Sequence, residues 1–277
     1  MLIFTLFFVL PAAFGLWLSF TNASTMSRRQ DFVGFANFEL LLVDNGPAFF
    51  GALGNQVAYA VITTVGKTAL GVLLAFFLNR AFLGRNVLRA IVYMPIMFST
   101  IVVGIVFGFI LANDGLLNTF LANIGLGFAT QDWLGNFDLA LISVAGIDIW
   151  MGVGWTVVLV LAALQGVPTE LLESAEVDGA NPWQRAISIS LPIVAPTVGL
   201  AALLTLISGL KAFEIIYATT GGGPGYATEV MTTFLAKALG TTNLGYASAI
   251  SFVQFAIITL IAFVIHLISR RIEARTS

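Results

Sequence analysis

Four ionisable residues sit inside long apolar runs of this chain: Lys67, Asp148, Lys211 and Glu214. A charge in a hydrocarbon environment is costly, so such groups face the protein interior or a water-filled path and are candidates for function. Lys211 and Glu214 stand three apart in one helical run, a spacing that predicts a local ion pair. Lys67 and Asp148 fall near the middle of different runs and are expected to meet inside a bundle or to face one aqueous cavity. Trp150 and Trp155 flank a glycine-rich helical turn next to Asp148, and Glu214, Tyr217 and Gln254 add polar tips on two further runs. Exposed aromatic faces and polar tips inside apolar runs can line a path for a polar solute, so these six residues form a candidate substrate pathway. Packing and interfacial-belt roles are the alternative for the aromatic members.

Other chemistry is excluded early. The chain has no cysteine and a single histidine, His266, so neither a thiolate metal site nor a disulfide framework can form, and no metal site is expected. HExxH, GxSxG and paired aspartates on facing helices are absent. Gly66-Lys67-Thr68 supplies the last three letters of a phosphate-binding loop, but Val61 stands where its first glycine must be. The tripeptide also lies midway along an apolar run, where no glycine loop can cradle a phosphate. The chain is expected to bind no nucleotide or other cofactor itself.

The elements that position these residues follow from composition. Of 277 residues 58% are hydrophobic and 9% charged, against about 25% charged in soluble domains. A water-soluble enzyme is thereby ruled out. The net charge of −2, without a basic tract, excludes nucleic acid as a partner. Six segments hold the roughly 20 apolar residues that a helix needs to cross a bilayer: about 1–20, 57–78, 87–111, 139–164, 191–219 and 246–268. Strand-like alternation is missing, and lipid-exposed backbone must satisfy its own hydrogen bonds, so the fold class is an all-α membrane protein, a six-span helical bundle in one domain. The first segment reads as a retained span, because it lacks the positive start and small-residue cleavage site of a signal peptide.

Lysine and arginine set the orientation. Arg80, Arg85, Arg89, Arg185, Arg270, Arg271 and Arg275 lie on one side, and Arg28, Arg29 and Lys237 on the other among many acids. Seven against three places both termini in the cytoplasm. Gly104 and Gly108 form a GxxxG spacing suited to close helix contact.

The loop at 165–190 is not generic. Pro168 suits a helix start, with Glu170 and Glu173 at its positive end. Leu171, Leu172 and Ala175 share a face, Asp178-Gly179 breaks the helix, and another begins near Asn181-Pro182. The product is a helix-turn-helix on the cytoplasmic surface, with a face free to dock a soluble partner.

These residues carry a resemblance. Glu173-Ser174-Ala175-x-x-Asp178-Gly179-Ala180, with Leu191-Pro192 farther on, resembles the EAA loop of ABC-importer membrane subunits, Ser174 replacing an alanine. A basic pair common in that loop is replaced here by Ile187-Ser188. Phe32-Val-Gly-Phe-Ala-Asn-Phe38, Leu78-Asn-Arg80 with Gly84-Arg85, Thr220-Gly-Gly-Gly-Pro-Gly-Tyr-Ala-Thr-Glu229 and Gly245-Tyr-Ala-Ser-Ala249 are similar to the first of the two permeases in carbohydrate importers. The resemblance implies a bacterial inner-membrane subunit that pairs with a second permease, two ABC ATPase subunits holding ATP and Mg, and an extracytoplasmic solute-binding protein. It also implies that the EAA loop couples ATP hydrolysis to the pore. A self-sufficient secondary transporter driven by an ion gradient is the competing class. It leaves the loop unexplained and lacks the repeated halves common in such folds.

Overall fold

A computed structural model describes residues 1–27 and 30–276, without the side chains of 262 and 264–277. Arg28 and Arg29, and the side chains of His266, Arg270, Arg271 and Arg275, lie outside the described residues.

The fold is helical. In chain order the main elements are α1 (Leu2–Leu18), α2 (Gly46–Asn79), α3 (Arg85–Met97), α4 (Thr100–Ile110), α5 (Ala140–Gln165), α6 (Thr169–Val177), α7 (Pro182–Gly209), α8 (Glu214–Thr219), α9 (Met231–Gly240) and α10 (Leu244–Thr276). No strand forms among the described residues; isolated bridges tie Thr21 to Phe32 and Ser24 to Ser27 and Asn243.

Four helices, α2, α5, α7 and α10, are long and apolar enough to cross a membrane, against the six segments expected. The third expected segment is two helices, α3 and α4, meeting at 99°, which add one more if they cross together. Pro95 can donate no backbone hydrogen bond, and Phe98 and Ser99 are extended (ψ 151° and 128°), so the helical ladder cannot run through. At 1.5 Å per residue α1 reaches about 26 Å, short of a hydrocarbon core of about 30 Å.

The fifth segment also differs. Expected as one helix over 191–219, it starts earlier, at Pro182, and ends at Gly209, with Phe213 in a non-helical conformation before α8 begins. The carbonyl of Gly209 accepts from the Ala212 N–H at 3.2 Å and also from Gln56 Nε2 at 2.8 Å, so α2 supplies a second partner where the helix ends.

Helices α2, α5 and α7 form the centre. In lipid no hydrophobic drive pulls helices together, and close contact depends on small residues. A Cβ on Gly71 would stand 2.6 Å from the Thr156 side chain, and one on Gly209 2.8 Å from the Ala60 Cα. Gly154 likewise admits the backbone of Val92 and Tyr93 from α3. Gly104 of the GxxxG pair meets Ala218 of α8, with Gly108 near the Thr219 carbonyl. One core cluster gathers Tyr59, Val144, Ile147, Ile215 and Ile216; another gathers Ala75, Leu78, Val157, Val160 and Val194. Outside them, large apolar side chains such as Val65, Leu73 and Phe109 stand exposed, as a surface solvated by lipid requires.

Candidate functional site

Lys67 projects from the middle of α2 and Asp148 from α5, and they meet: Nζ to Oδ2 is 2.9 Å, with side chains 8% and 14% exposed. The room for this contact comes from Gly152, where a Cβ would stand 2.7 Å from the Lys67 Cε. One residue before Lys67, a Cβ at Gly66 would stand 2.4 Å from Ile149 Cδ1. The fully buried Tyr59 hydroxyl lies close to Asp148. An ammonium and a carboxylate so enclosed stabilise each other, and loss of either would strand a charge. The helical setting also disposes of the phosphate-loop reading, because the backbone at Gly66-Lys67-Thr68 belongs to α2.

Lys211 and Glu214 do not pair. Lys211 sits in the break after α7 and Glu214 in the first turn of α8, so no shared helix holds them at facing positions. Both are exposed, and neither is in a salt bridge among the described residues.

The remaining pathway candidates fall in two kinds of place. Trp150 and Trp155 are each 44% exposed on α5, and Trp150 packs against Phe107 of α4 at 5.2 Å between ring centroids. Tyr217 is exposed on α8 and stacks on Phe213 at 5.1 Å. Each of these rings is partly exposed. Gln254 is instead buried in α10. The described geometry brings Asp148 to Lys67 and does not gather the six candidates into one pocket.

The 165–190 loop has the expected shape. Helix α5 ends at Gln165, and α6 runs over Thr169–Val177 with Glu170 in its first turn. Gly179 has φ +83°, a left-handed conformation that glycine adopts without penalty. Asn181 then caps α7: its Oδ1 accepts from the Gln184 N–H at 2.9 Å, the Gln184 Oε1 accepts from the Asn181 N–H at 2.8 Å, and Pro182 occupies the first turn. Leu172 packs inward against the α2–α5–α7 core, with Ala175 and Ala180 partly covered. Leu171 is exposed, so only part of the expected apolar face is buried. Glu173, Ser174, Asp178 and Gly179 face outward. At the far end of the loop Leu191 is partly buried against the core and Pro192 is exposed.

Several contacts were not legible in the sequence. Arg185 bridges Glu176, clasping α7 to α6 across the turn. Their nine-residue separation spans a break, so no helical periodicity signals it. Arg89 Nη2 donates to the Leu78 carbonyl at 2.7 Å and satisfies the end of α2. Outside the spans, Glu229 is buried and paired with Lys237, whose ammonium also lies 5.2 Å from the Tyr226 ring centroid. Asn55 Nδ2 donates to the carbonyls of Tyr226 and Glu229, fastening that glycine-rich loop to α2.

Residues 67–277 match the family described as "Binding-protein-dependent transport system inner membrane component". The chain is 37% identical over 263 residues to the probable ABC transporter permease protein YurN of Bacillus subtilis, covering 94% of this chain and 89% of that one. It is 32% identical to the multiple sugar-binding transport system permease protein MsmF of Streptococcus mutans, covering 96% and 91%. The trehalose/maltose transport system permease protein MalF of Thermococcus litoralis is also 32% identical, with 91% and 84% covered. Among solved structures, a chain of a bacterial alginate ABC transporter, in complex with its alginate pentasaccharide-bound periplasmic protein, is similar at a TM-score of 0.82 and 25% identity. The match covers 98% of this chain and 91% of that one.

Proposed function

The chain belongs to the family of binding-protein-dependent transport system inner membrane components, the permease subunits of ABC importers, and we propose that its cargo is a sugar or a sugar-like solute. It is a transport subunit and not an enzyme. An ion-driven secondary transporter is not favoured. Support for the sugar comes from relatives named for multiple sugars and for trehalose and maltose, and from the alginate transporter.

In this reading the chain crosses the membrane six times with both termini in the cytoplasm, α1 and the bent α3–α4 pair completing the bundle. A second permease completes the pathway, two ABC ATPase subunits supply ATP and Mg, and an external binding protein delivers the solute. The 165–190 loop is the coupling element: Glu173, Ser174, Asp178 and Gly179 meet an ATPase, while Ala175, Ala180, Leu191 and Pro192 seat the loop on the bundle. The pathway candidates are Asp148, Trp150, Trp155, Glu214, Tyr217 and Gln254, and the exposed rings on α5 and α8 would stack on the solute. Lys67 acts through Asp148, holding α2 to α5 while neighbouring helices move. Lys211, in no salt bridge among the described residues, would face an aqueous part of the pathway.

The carrying observation is the outward Glu173–Gly179 edge on a braced base. Leu172 anchors it, the Asn181–Gln184 cap fixes the start of α7, and Arg185 clasps Glu176. A force applied there passes to α5 and α7 without being absorbed by a loose loop. Glu173→Lys and Gly179→Asp should each leave the importer assembled and able to hydrolyse ATP, with uptake lost. Wild-type uptake in both variants would remove the assigned role.

A further inference from the structure

A groove of about 420 Å³ runs between the C-terminal part of α2 and the first turns of α7. Val72, Phe76, Phe77, Trp183, Ile187 and Leu191 line it, together with Arg80. Its flank is open: Leu73 and Phe77 of α2 are more than half exposed, and so is Trp183. No acidic residue lines it. Arg185, also in the wall, is engaged by Glu176, whereas Arg80 is in no ion pair among the described residues. The groove therefore sets an exposed arginine beside apolar side chains, at the end of a helix long enough to cross the membrane. We propose that this groove binds an anionic phospholipid of the cytoplasmic leaflet, one acyl chain lying along Phe76, Ile187 and Leu191 and the phosphate meeting Arg80.

Charge complementarity selects this occupant. A guanidinium matches a phosphate by paired N–H donors, and the apolar lining matches a hydrocarbon chain and not a soluble anion. Trp183, in the lining and more than half exposed, suits the level of the headgroups. The proposal rests on the orientation given above, in which the Arg80 end is cytoplasmic. It extends that reading, because the same wall carries the start of α7, and a seated lipid would stiffen the base of the 165–190 loop.

The test uses the intact importer, delipidated in detergent and offered phosphatidylglycerol or phosphatidylcholine of the same chain length, with bound lipid counted by native mass spectrometry. One cationic contact at an anionic headgroup predicts a preference of about fivefold for phosphatidylglycerol. Arg80→Ala should bring the two lipids to parity, Arg80→Lys should keep most of the preference, and Ala186→Trp, which fills the groove, should reduce retention of both. Undiminished phosphatidylglycerol preference in Arg80→Ala, or undiminished retention in Ala186→Trp, would overturn the proposal. So would a photo-crosslinker at Phe76 that captures a partner polypeptide instead of lipid. Wild-type preparations lacking the ATPase and second permease would count against the importer composition instead, which keeps the two failures apart.

Discussion

Neutralising one member of the Lys67–Asp148 pair is the perturbation whose size the structure constrains most. The partners are 2.9 Å apart and their side chains 8% and 14% exposed. Removing one member of such a pair costs about 3–5 kcal/mol, because the other charge is left without compensation. Relaxation is limited, since Gly152 and Gly71 hold α2 and α5 at close approach around the site. Lys67→Met and Asp148→Asn should each lower the apparent melting temperature of the purified importer by on the order of 10 °C. The double variant carries no buried charge and should recover most of that loss, so the two single losses should be far from additive. The assay is thermal unfolding of the four complexes, with uptake measured alongside. Wild-type stability and uptake in both single variants would refute the reasoning. A double variant as unstable as the sum of the singles would show that the residues act separately.

Further predictions concern packing and the coupling loop. Gly209→Ala sets a Cβ 2.8 Å from the Ala60 Cα, which is backbone and cannot step aside, and should destabilise by roughly 1–3 kcal/mol. Gly66→Ala meets the Ile149 side chain and no backbone among its nearest atoms, and should be better tolerated; melting curves that reverse this order would contradict the packing described. Asn181→Ala removes the cap of α7 and should cost about 1 kcal/mol, read as lower thermal stability with a parallel drop in ATP-coupled uptake. Arg185→Ala breaks a pair whose Glu176 side chain is 65% exposed, and should change stability by less than about 1 kcal/mol. A large loss there would mean that the clasp is shielded by a partner subunit.

The helical class, the membrane setting and the boundaries of α5 were legible, because long uncharged runs carry a strong signal. Helix ends were less so. At the break Gln56 reaches from α2 to the Gly209 carbonyl, a contact across 153 residues that no local pattern announces. That break also undid the expected Lys211–Glu214 pair, which presumed an unbroken helix. The bend between α3 and α4 had a local cause in Pro95, but its angle comes from where α4 packs: Gly104 lies on Ala218. The meeting of Lys67 with Asp148 was foreseeable because a buried charge needs an opposite one, and few were available. Gly152 could not be assigned its role, since the sequence does not say which lysine a glycine makes room for. The Gly179 turn and the Asn181 cap were readable because their chemistry is local.

The central claim is that this chain works as one permease within an ATP-driven assembly. Purification of the tagged chain from its native membrane, with quantitative mass spectrometry of what accompanies it, tests that most directly. The account predicts an ABC ATPase and a second permease of similar topology at stoichiometric levels. A preparation containing this chain alone, able to move solute in vesicles on an ion gradient, would contradict it.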